Sequence, residues 1–256
     1  MNLTALAAFS DNYIWMIDDG KRAIVVDPGE SGPVEAALDA RRLELTGILL
    51  THHHADHVGG VDGLRSRLRG PVFGPAREKV PQPCTGLREG ETCEVLGLRF
   101  EVLDIPAHTA GHIAFVNRFG AGDPIVFCGD TMFSAGCGRL FEGTAEQMHR
   151  SLGKLAALPD ETRVCCGHEY TLSNLKFAQA VEPDNADVRE HTARCEALRA
   201  EGKPTLPSTV GLERRINPFL RCAEPTVMAA ARARGATGSG GSEVLAALRT
   251  WKNDFR

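Results

Sequence analysis

The first part of the chain alternates short apolar runs with polar turns, a pattern typical of strands buried in a sheet. The runs YIWMIDD and RAIVVD end in Asp-Gly and Asp-Pro-Gly turn signals and predict short strands within residues 1–27. Ser31 to Arg42 predicts a helix, because Ser31 can cap it and Pro33 suits its first turn. A buried strand is then expected to end at Leu50.

The middle of the chain repeats this pattern. Val58 to Leu68 predicts a helix, and residues 70–100 are rich in turns and predict short strands. The runs FEVLDIPA, IAFV, PIVFCGD and TRVCCGH predict further strands, and Thr144 to Leu158 predicts a helix with an aligned apolar face. Strands mixed with helices indicate an α/β domain, which we place at residues 1–170.

From residue 171 onward the pattern is helical. Four segments with helical spacing are separated by breaks that contain proline or glycine: TLSNLKFAQAVE, ADVREHTARCEALRAEG, TVMAAARAR and SEVLAALRTWKNDFR. We therefore predict a small C-terminal helical domain at residues 171–256.

Composition narrows the class of protein. The chain has 256 residues, 29 Lys and Arg against 33 Asp and Glu, and a formal net charge of −4, which argues against a nucleic-acid-coating surface. It has no apolar run of transmembrane length and no basic leader at its start, so we expect a cytoplasmic protein without a membrane partner. None of the eight cysteines has C-x-x-C spacing, which favours buried reduced thiols over a zinc ribbon. We expect a monomer.

The stretch GILLTHHHADHVGG concentrates metal-ligand side chains beyond a predicted strand end. It holds His52, His54, Asp56 and His57 within six positions. Three more predicted strand ends deliver further candidates, His108, Asp130 and His168. Seven candidates exceed the three or four that one zinc ion needs, so two metals that share a carboxylate would account for them. A single metal with spare histidines nearby remains open.

Several segments, in this order, resemble one family. THHHADHVGG, IPAHTAGH, FCGDTMFSAGCGRLFEGT, CGHEYTLSNLKFA, NPFLR and ALRTWKNDF are similar to segments of the glyoxalase II (hydroxyacylglutathione hydrolase) family of the metallo-β-lactamase superfamily. The resemblance implies a four-layer αββα sandwich, followed by a helical tail. It also implies hydrolysis of S-(2-hydroxyacyl)glutathione thioesters, such as S-D-lactoylglutathione, in the second step of methylglyoxal detoxification.

The resemblance also implies roles for the candidate ligands. His52, His54 and His108 would bind one metal, Asp56, His57 and His168 would bind the second, and Asp130 would bridge them. A hydroxide bridging the two ions would attack the thioester, with Asp56 orienting it. Histidine and carboxylate ligands suit Zn²⁺ and also tolerate Fe or Mn. We interpret the neighbouring His53 and His112 as residues that support the site rather than bind metal.

Positions that match the family's substrate residues are Arg139, Phe141, Tyr170, Arg249 and Lys252. Arg249 and Lys252 are three residues apart on the last predicted helix and can share a face. Arg139 stands where the family often has lysine, and Phe141 stands where some members have tyrosine. Arg139 keeps the positive charge of the lysine, whereas Phe141 lacks the hydroxyl group of the tyrosine and so loses one substrate contact.

Alternative functions within the same fold are a mononuclear-iron persulfide dioxygenase, a phosphodiesterase or nuclease, and a β-lactam or lactone hydrolase. A persulfide dioxygenase has a similar HxHxDH motif, but its reaction does not require the GHEYT segment or the basic C-terminal tail. A nuclease should show a basic surface, which the net charge does not support. A non-catalytic metal-binding module would not call for seven ligands.

Overall fold

The computed structural model describes residues 1–118 and 124–255. It contains two six-stranded sheets. The first sheet, in spatial order, is β1 (Asn2–Ala8), β2 (Asn12–Asp18), β3 (Arg22–Val26), β4 (Glu44–Leu49), β5 (Val72–Pro75) and β6 (Thr85–Leu87). Its first three strands are antiparallel neighbours, and β3 to β6 run parallel to one another.

The second sheet is built from later strands. Its members in chain order are β7 (Thr92–Val95), β8 (Leu98–Asp104), β9 (Ile113–Asn117), β10 (Ile125–Gly129), β13 (Arg163–Cys166) and β14 (Ser208–Thr209). Their spatial order is β14-β13-β10-β9-β8-β7, with β10 and β13 parallel. Between β10 and β13, a small hairpin is formed by β11 (Met132–Phe133) and β12 (Gly136–Cys137).

Helices cover the outer faces of both sheets. The nine helices of the described residues are α1 (Gly32–Arg41), α2 (Ala55–Val58), α3 (Val61–Leu64), α4 (Ala145–Ala156), α5 (Thr171–Val181), α6 (Ala186–Ala200), α7 (Val210–Ile216), α8 (Pro225–Ala233) and α9 (Gly241–Asp254). α1 to α3 pack on the first sheet, whereas α4, α8 and α9 contribute to the core of the second. The four-layer αββα arrangement is therefore confirmed.

Side chains that alternate along each strand allow the first sheet to pack against the second sheet on one face and against helices on the other. Along β2, Trp15 and Ile17 face the core between the sheets, whereas Ile14 and Met16 face the helices outside. Successive side chains of a strand point to opposite faces, so a strand buried on both sides reads as a continuous apolar run. The predicted strands within residues 1–27 are confirmed for this reason.

Two local predictions need correction. The helix expected over Val58 to Leu68 is wrong: α2 begins earlier, inside the histidine cluster, and a break at Gly59–Gly60 separates it from α3. Ser31 precedes α1 but makes no side-chain cap hydrogen bond. Thr144, in contrast, caps α4 in a reciprocal capping box with Gln147, so the predicted start of that helix is confirmed.

The C-terminal region is helical, as predicted, but it is joined to the second sheet. β14 adds an antiparallel edge strand to β13, and it lies between α6 and α7 in the chain. The domain division at residue 170 therefore stays a prediction, and Arg256 lies outside the described residues. All eight cysteines are unpaired, and seven of them are buried. Across residues 1–118 and 124–255, no helix has the length and apolarity needed to cross a bilayer.

Candidate metal centre

The candidate ligands follow four strands, at the ends where these strands leave the sheets. Residues 52–57 come after β4, His108 after β8, Asp130 after β10 and His168 after β13. The carboxyl ends of neighbouring strands meet at one edge of a sheet, and loops there can present side chains on a rigid frame. The structure brings all seven predicted ligands together at this edge.

The first group of ligand atoms comes from His52, His54 and His108, whose ring nitrogens lie within 4.8 Å of one another. The closest approach is 3.0 Å, between His54 Nδ1 and His108 Nε2. Two ring nitrogens that both present lone pairs repel at this distance, unless a proton or a cation lies between them. This group therefore has the composition and spacing of one half of a metal centre.

The second group consists of Asp56, His57 and His168. Asp56 Oδ2 lies 3.4 Å from His168 Nε2 and 3.6 Å from His57 Nε2. Asp56 is partly exposed to the cavity described below, and its Oδ2 also accepts a hydrogen bond of 3.0 Å from Asn12 Nδ2. Asn12 therefore fixes the orientation of this carboxylate.

Asp130 lies between the two groups. Its Oδ1 is 3.3 Å from His57 Nε2, and its Oδ2 is 3.4 Å from His108 Nε2 and 3.3 Å from His168 Nε2. One carboxylate thus faces nitrogens of both groups, as a bridging ligand would. Space here is tight, because a Cβ added at Gly167 would lie 2.6 Å from Asp130 Oδ1.

In three of the ligand imidazoles, the nitrogen on the far side from the cluster is held by a hydrogen bond. His57 Nδ1 lies 3.2 Å from Asp27 Oδ2, and His168 Nδ1 lies 2.8 Å from Asp11 Oδ1. His108 Nδ1 donates to the Arg139 carbonyl at 3.0 Å. In a neutral imidazole whose proton is on the far nitrogen, the Nε2 atom that faces the centre has a free lone pair for a metal.

The pKa shifts within the cluster indicate that positive charge is stabilised there. Burial lowers the pKa of His52 well below its ordinary value. Burial also opposes charge on His57 and His168, but nearby carboxylates outweigh it and raise the pKa of His57 well above normal and that of His168 to about 10. Burial opposes ionisation of Asp130 too, yet His57 and His168 hold its pKa well below the usual range. Bound cations would supply the charge that these carboxylates attract.

Unpartnered buried atoms provide an independent test of whether a metal fits. His52 Nε2, His57 Nε2 and Asp130 Oδ1 are buried without a hydrogen-bond partner. A buried polar atom left without a partner costs about 1–3 kcal/mol, so such atoms are rare in folded proteins. Three of them converge on one small volume, and all three are of types that bind zinc. The residues present therefore fit the predicted metal centre.

One cavity of about 710 Å³ joins this centre to the predicted substrate residues. Its lining includes five of the seven candidate ligands and all five predicted substrate residues. They are His54, Asp56, His108, Asp130 and His168, and Arg139, Phe141, Tyr170, Arg249 and Lys252. The same cavity is thus lined by metal-ligand side chains and by three cationic side chains.

Two aromatic residues of the cavity pack directly against the ligand imidazoles. The Tyr170 ring stacks on His168, with centroids 4.7 Å apart and planes 7° apart. Phe141 is largely exposed and presents its ring edgewise to His54 and His108, at 5.7 and 5.3 Å. These rings flank the approach to the metal cluster.

The two cationic residues of α9, Arg249 and Lys252, differ in their exposure and in their hydrogen bonds. Arg249 is only 7% exposed, and its Nη1 donates to the Cys137 carbonyl at 2.7 Å, while its Nε has no partner. Lys252 is more exposed and donates to the Ser173 carbonyl at 3.1 Å. Burial, with the nearby Arg249 charge, lowers the pKa of Lys252 to about 8. Arg249 thus also ties α9 to β12, a contact that the sequence did not indicate.

The two histidines interpreted as supporting residues do contact the structure around the ligands. His53 Nδ1 lies 2.9 Å from Glu78 Oε2, and Glu78 also accepts from the Gly111 amide at 2.9 Å. His112 donates from Nδ1 to the Ile113 carbonyl, and its Nε2 accepts from the Asp130 amide at 3.2 Å. Both therefore hold loops that present ligands.

Sequence reasoning missed four residues that contact the ligands, namely Asp11, Asn12, Asp27 and Thr51. Asp11 lies in the turn after β1, Asn12 is the first residue of β2, and Asp27 belongs to the Asp-Pro-Gly turn after β3. The sequence pattern indicated only a turn at Asp27 and gave no role to Asp11, Asn12 or Thr51. Their position at or near strand ends, shared with the ligands, was the available indication that they belong to the site.

Comparison with known proteins agrees with this geometry. The model of the metallo-beta-lactamase superfamily matches residues 8–168, and the model described as hydroxyacylglutathione hydrolase C-terminus matches residues 169–255. The crystal structure of ETHE1 from Myxococcus xanthus is 26% identical, covers 100% of both chains and has a TM-score of 0.65. Another solved protein, crystallised in a di-iron-bound form, is 28% identical with a TM-score of 0.61, and the match covers 86% of this chain and 100% of that one.

A curated relative extends the match over the whole length. The hydroxyacylglutathione hydrolase of Albidiferax ferrireducens is 55% identical over 255 residues, which cover 100% of each chain. The agreement includes both the metal-ligand loops and the helical tail, since no part of the chain is left outside the match. The chain therefore belongs to the hydroxyacylglutathione hydrolase family of the metallo-β-lactamase superfamily.

Proposed function

We propose that this protein hydrolyses S-(2-hydroxyacyl)glutathione thioesters, with S-D-lactoylglutathione as the test substrate, to a 2-hydroxy acid and glutathione. The observation that carries the proposal is the single cavity that joins the His/Asp cluster to Arg139, Arg249 and Lys252. Full-length relatives with the name hydroxyacylglutathione hydrolase support it. Release of a 2-hydroxy acid from this substrate corresponds to the second step of methylglyoxal detoxification.

We propose a two-metal centre in which His52, His54 and His108 bind one ion. Asp56, His57 and His168 would hold the second, and Asp130, which faces nitrogens of both groups, would be shared between them. The two ligand groups, the position of Asp130 and the di-iron form of one structural neighbour support this arrangement over a single metal. Zn²⁺ is our choice for imidazole and carboxylate ligands, with Fe or Mn as alternatives. Divalent ions supply Lewis-acid chemistry when bound: they generate a nucleophile from water near neutral pH and polarise a carbonyl oxygen.

The chain itself positions the reacting groups. Asp56 is the catalytic residue in this proposal, because it is a carboxylate at the cavity wall that can accept a hydrogen bond from the attacking water and orient it. Asn12 holds Asp56 Oδ2, and Asp56 in turn faces His57 and His168. Phe141 and Tyr170 flank the scissile thioester and exclude water from its apolar side.

The glutathione portion carries carboxylates, and the cavity offers cations for them. Arg139 is exposed at the rim, and Lys252 lies deeper, beside Ser173. Arg249 is buried with an unpartnered Nε in the cavity lining, so it can both hold β12 and attract a substrate carboxylate. Phe141 has no hydroxyl group to bind the substrate, so substrate affinity depends mainly on the charged residues.

Substrate binding should weaken as the pH rises through about 8. The lowered pKa of Lys252 means that its ammonium is fully charged below about pH 7 and mostly neutral above about pH 9. Since only the charged form attracts a carboxylate, KM should rise over this interval. Steady-state KM measured against pH in the wild type and in Lys252→Gln checks this: the variant should have a raised KM without that rise.

A matched control is Lys21→Gln, which removes an exposed lysine outside the cavity lining. It should retain both the KM and the pH dependence of the wild type. An unchanged pH dependence of KM in Lys252→Gln would assign the titration to another group and contradict the role of Lys252.

Thioester turnover tests the proposed function directly. Loss of the thioester of S-D-lactoylglutathione should be followed alongside metal analysis of the same sample, with an acyl-coenzyme A thioester, a lactone and a phosphodiester as comparators. We expect hydrolysis of the glutathione thioester to dominate. Two bound metals without this hydrolysis would overturn the proposal.

The alternative functions are not favoured. A persulfide dioxygenase, a nuclease or a lactonase of the same fold gives no reason for a helical tail that places Arg249 and Lys252 in the metal cavity. The full-length relatives carry the name hydroxyacylglutathione hydrolase, which also argues against these alternatives. The cytoplasmic location, the monomeric state and the absence of nucleic-acid or membrane partners stay predictions.

A further inference from the structure

We propose that Glu142 is a positioning residue that holds the rim of the cavity in place. The rim segment, residues 138–143, joins β12 to α4 and carries Arg139 and Phe141. The inference rests on the proposed function where it assigns these two residues to the substrate. The hydrogen bond by which Glu142 holds the rim is a property of the chain and can be tested without substrate.

The rim segment has little backbone structure of its own. It forms neither helix nor strand, and within residues 1–118 and 124–255 no backbone–backbone hydrogen bond involves residues 139–143. Its ends are fixed by close packing. A Cβ added at Gly138 would lie 1.9 Å from the Asp130 carbonyl oxygen, and one at Gly143 would lie 2.5 Å from Ala107 Cα. The residues between these glycines therefore depend on side-chain contacts for their position.

Glu142 makes polar contacts with two segments that carry candidate ligands. Its Oε2 accepts a hydrogen bond of 2.8 Å from the Ala110 amide, in the loop between β8 and β9. Its Oε1 lies 3.5 Å from His53 Nε2, and His53 Nδ1 lies 2.9 Å from Glu78 Oε2. The carboxylate thus joins the rim both to the loop that contains His108 and to the histidine cluster.

Glu78 holds the other side of the same loop. Its Oε1 accepts from the Gly111 amide at 2.9 Å and from the Thr109 hydroxyl. A Cβ added at Gly111 would lie 2.6 Å from Glu78 Cγ, so the loop packs closely against this side chain. The Glu78 side chain is 3% exposed, whereas that of Glu142 is 39% exposed. The loop is therefore a fixed point, and the exposed Glu142–Ala110 hydrogen bond is the contact that can open.

Phe141 and Arg139 are the residues that this hydrogen bond positions. Phe141 is 62% exposed, although its ring lies edgewise to His54 and His108 at 5.7 and 5.3 Å. Arg139 is exposed as well. Exposed side chains have few packing contacts, so their location follows the backbone that carries them. The backbone that Glu142 holds therefore decides where the ring and the guanidinium line the cavity.

The test compares Glu142→Ala with Glu142→Gln in the metal-loaded full chain. Alanine removes the acceptor of the Ala110 amide, whereas the glutamine carbonyl oxygen can replace it. Glu142→Ala should raise the KM for S-D-lactoylglutathione by about 2- to 10-fold, the effect of one net hydrogen bond, with little change in kcat. Glu142→Gln should restore the wild-type KM.

Limited proteolysis reports on the rim without substrate. Trypsin cleaves after arginine, and Arg139 is exposed in a segment without helix or strand, so cleavage at this bond measures how often the rim opens. Mass spectrometry should show about 2- to 10-fold faster cleavage after Arg139 in Glu142→Ala, since one hydrogen bond is lost, and unchanged cleavage elsewhere. Glu142→Gln should be cleaved at the wild-type rate. Glu161→Ala removes an exposed glutamate outside the cavity lining and should behave as the wild type in both measurements.

The effect of Glu142 on KM should also depend on the side chain that it positions. In an Arg139→Ala background, Glu142→Ala should raise KM by a smaller factor than in the wild type, because residues that act through a shared contact are not additive. Full additivity of the two substitutions would contradict a role of Glu142 in positioning Arg139.

Three further outcomes would overturn the inference: a wild-type KM in Glu142→Ala, a glutamine variant that behaves as the alanine variant does, or faster cleavage at all sites together with a lower Tm. The last would indicate a general role in stability. A metal-loaded wild type that hydrolyses no glutathione thioester would contradict the proposed function instead. The cleavage rates of the two Glu142 variants would then decide the positioning role alone.

Discussion

Asp56→Asn is expected to lower kcat by about 10²- to 10⁴-fold, the usual size of a positioned acid–base contribution. Asparagine keeps the shape of the side chain, and its carbonyl oxygen can still accept from Asn12 Nδ2. What it loses is the negative charge beside His57 and His168 and a strong acceptor at the cavity wall. KM should change little, because the charges that attract the glutathione carboxylates belong to Arg139, Arg249 and Lys252, which this variant leaves unchanged.

Metal content must be measured in the same samples, since Asp56 is also a proposed ligand. Asn12→Ala provides a graded comparison: it keeps the carboxylate but removes the hydrogen bond that orients it, so kcat should fall less than in Asp56→Asn. Asp62→Asn, at an exposed position of α3, should behave as the wild type. A near-wild-type kcat in Asp56→Asn with two metals retained would remove Asp56 from the mechanism.

Removal of metal is expected to abolish hydrolysis and to destabilise the protein without unfolding it at room temperature. Each ion that binds only the folded chain, at 1,000 times its Kd, stabilises it by about 4 kcal/mol. At roughly 2–4 °C per kcal/mol for a chain of this size, Tm should fall by roughly 8–16 °C per site. The cores between and outside the sheets do not depend on the metal, so the fold should persist.

The experiment is chelation followed by titration with Zn²⁺, with Tm and thioester turnover measured at each step. Both should recover together and saturate at two equivalents. Recovery of full activity at one equivalent would favour the mononuclear alternative that the sequence left open. Activity that survives complete chelation would contradict metal-dependent hydrolysis altogether.

Much of the site was predictable because its candidate ligands occur in short, recognisable sequence patterns. The cluster at 52–57 and the residues His108, Asp130 and His168 each follow an apolar run, and a run that ends in ligand-type side chains can be recognised without knowing the fold. The family resemblance then grouped the ligands, and the structure brings the same groups together.

Local patterns failed where a distant segment determined the outcome. The helix predicted over Val58 to Leu68 is broken because the chain passes close to the turn after β3: a Cβ at Gly60 would lie 2.3 Å from the Glu30 carbonyl carbon. The apolar positions of this stretch continue the helical period, but the adjacent Gly59 and Gly60 weaken a helix, and the prediction did not take them into account. The contact with Glu30 exists only in the folded chain.

The residues that orient the ligands were missed for the same reason. Asp11 contacts His168 from 157 positions away, and Asn12 contacts Asp56 from 44 positions away. In the sequence these residues are indistinguishable from ordinary turn formers. Arg249 likewise has the spacing of a solvent-exposed helix residue but is buried against β12.

The sequence by itself therefore determined most of the strands and helices, the set of candidate ligands and the family of the chain. These follow from periodicity and motifs, which are properties of neighbouring residues. Only the tertiary structure decided how the two ligand groups share Asp130 and which carboxylates orient their imidazoles. It also decided that the basic tail opens into the same cavity. Those features depend on contacts between residues tens of positions apart, up to 157 for Asp11 and His168, and side-chain chemistry alone does not specify which distant residues will meet.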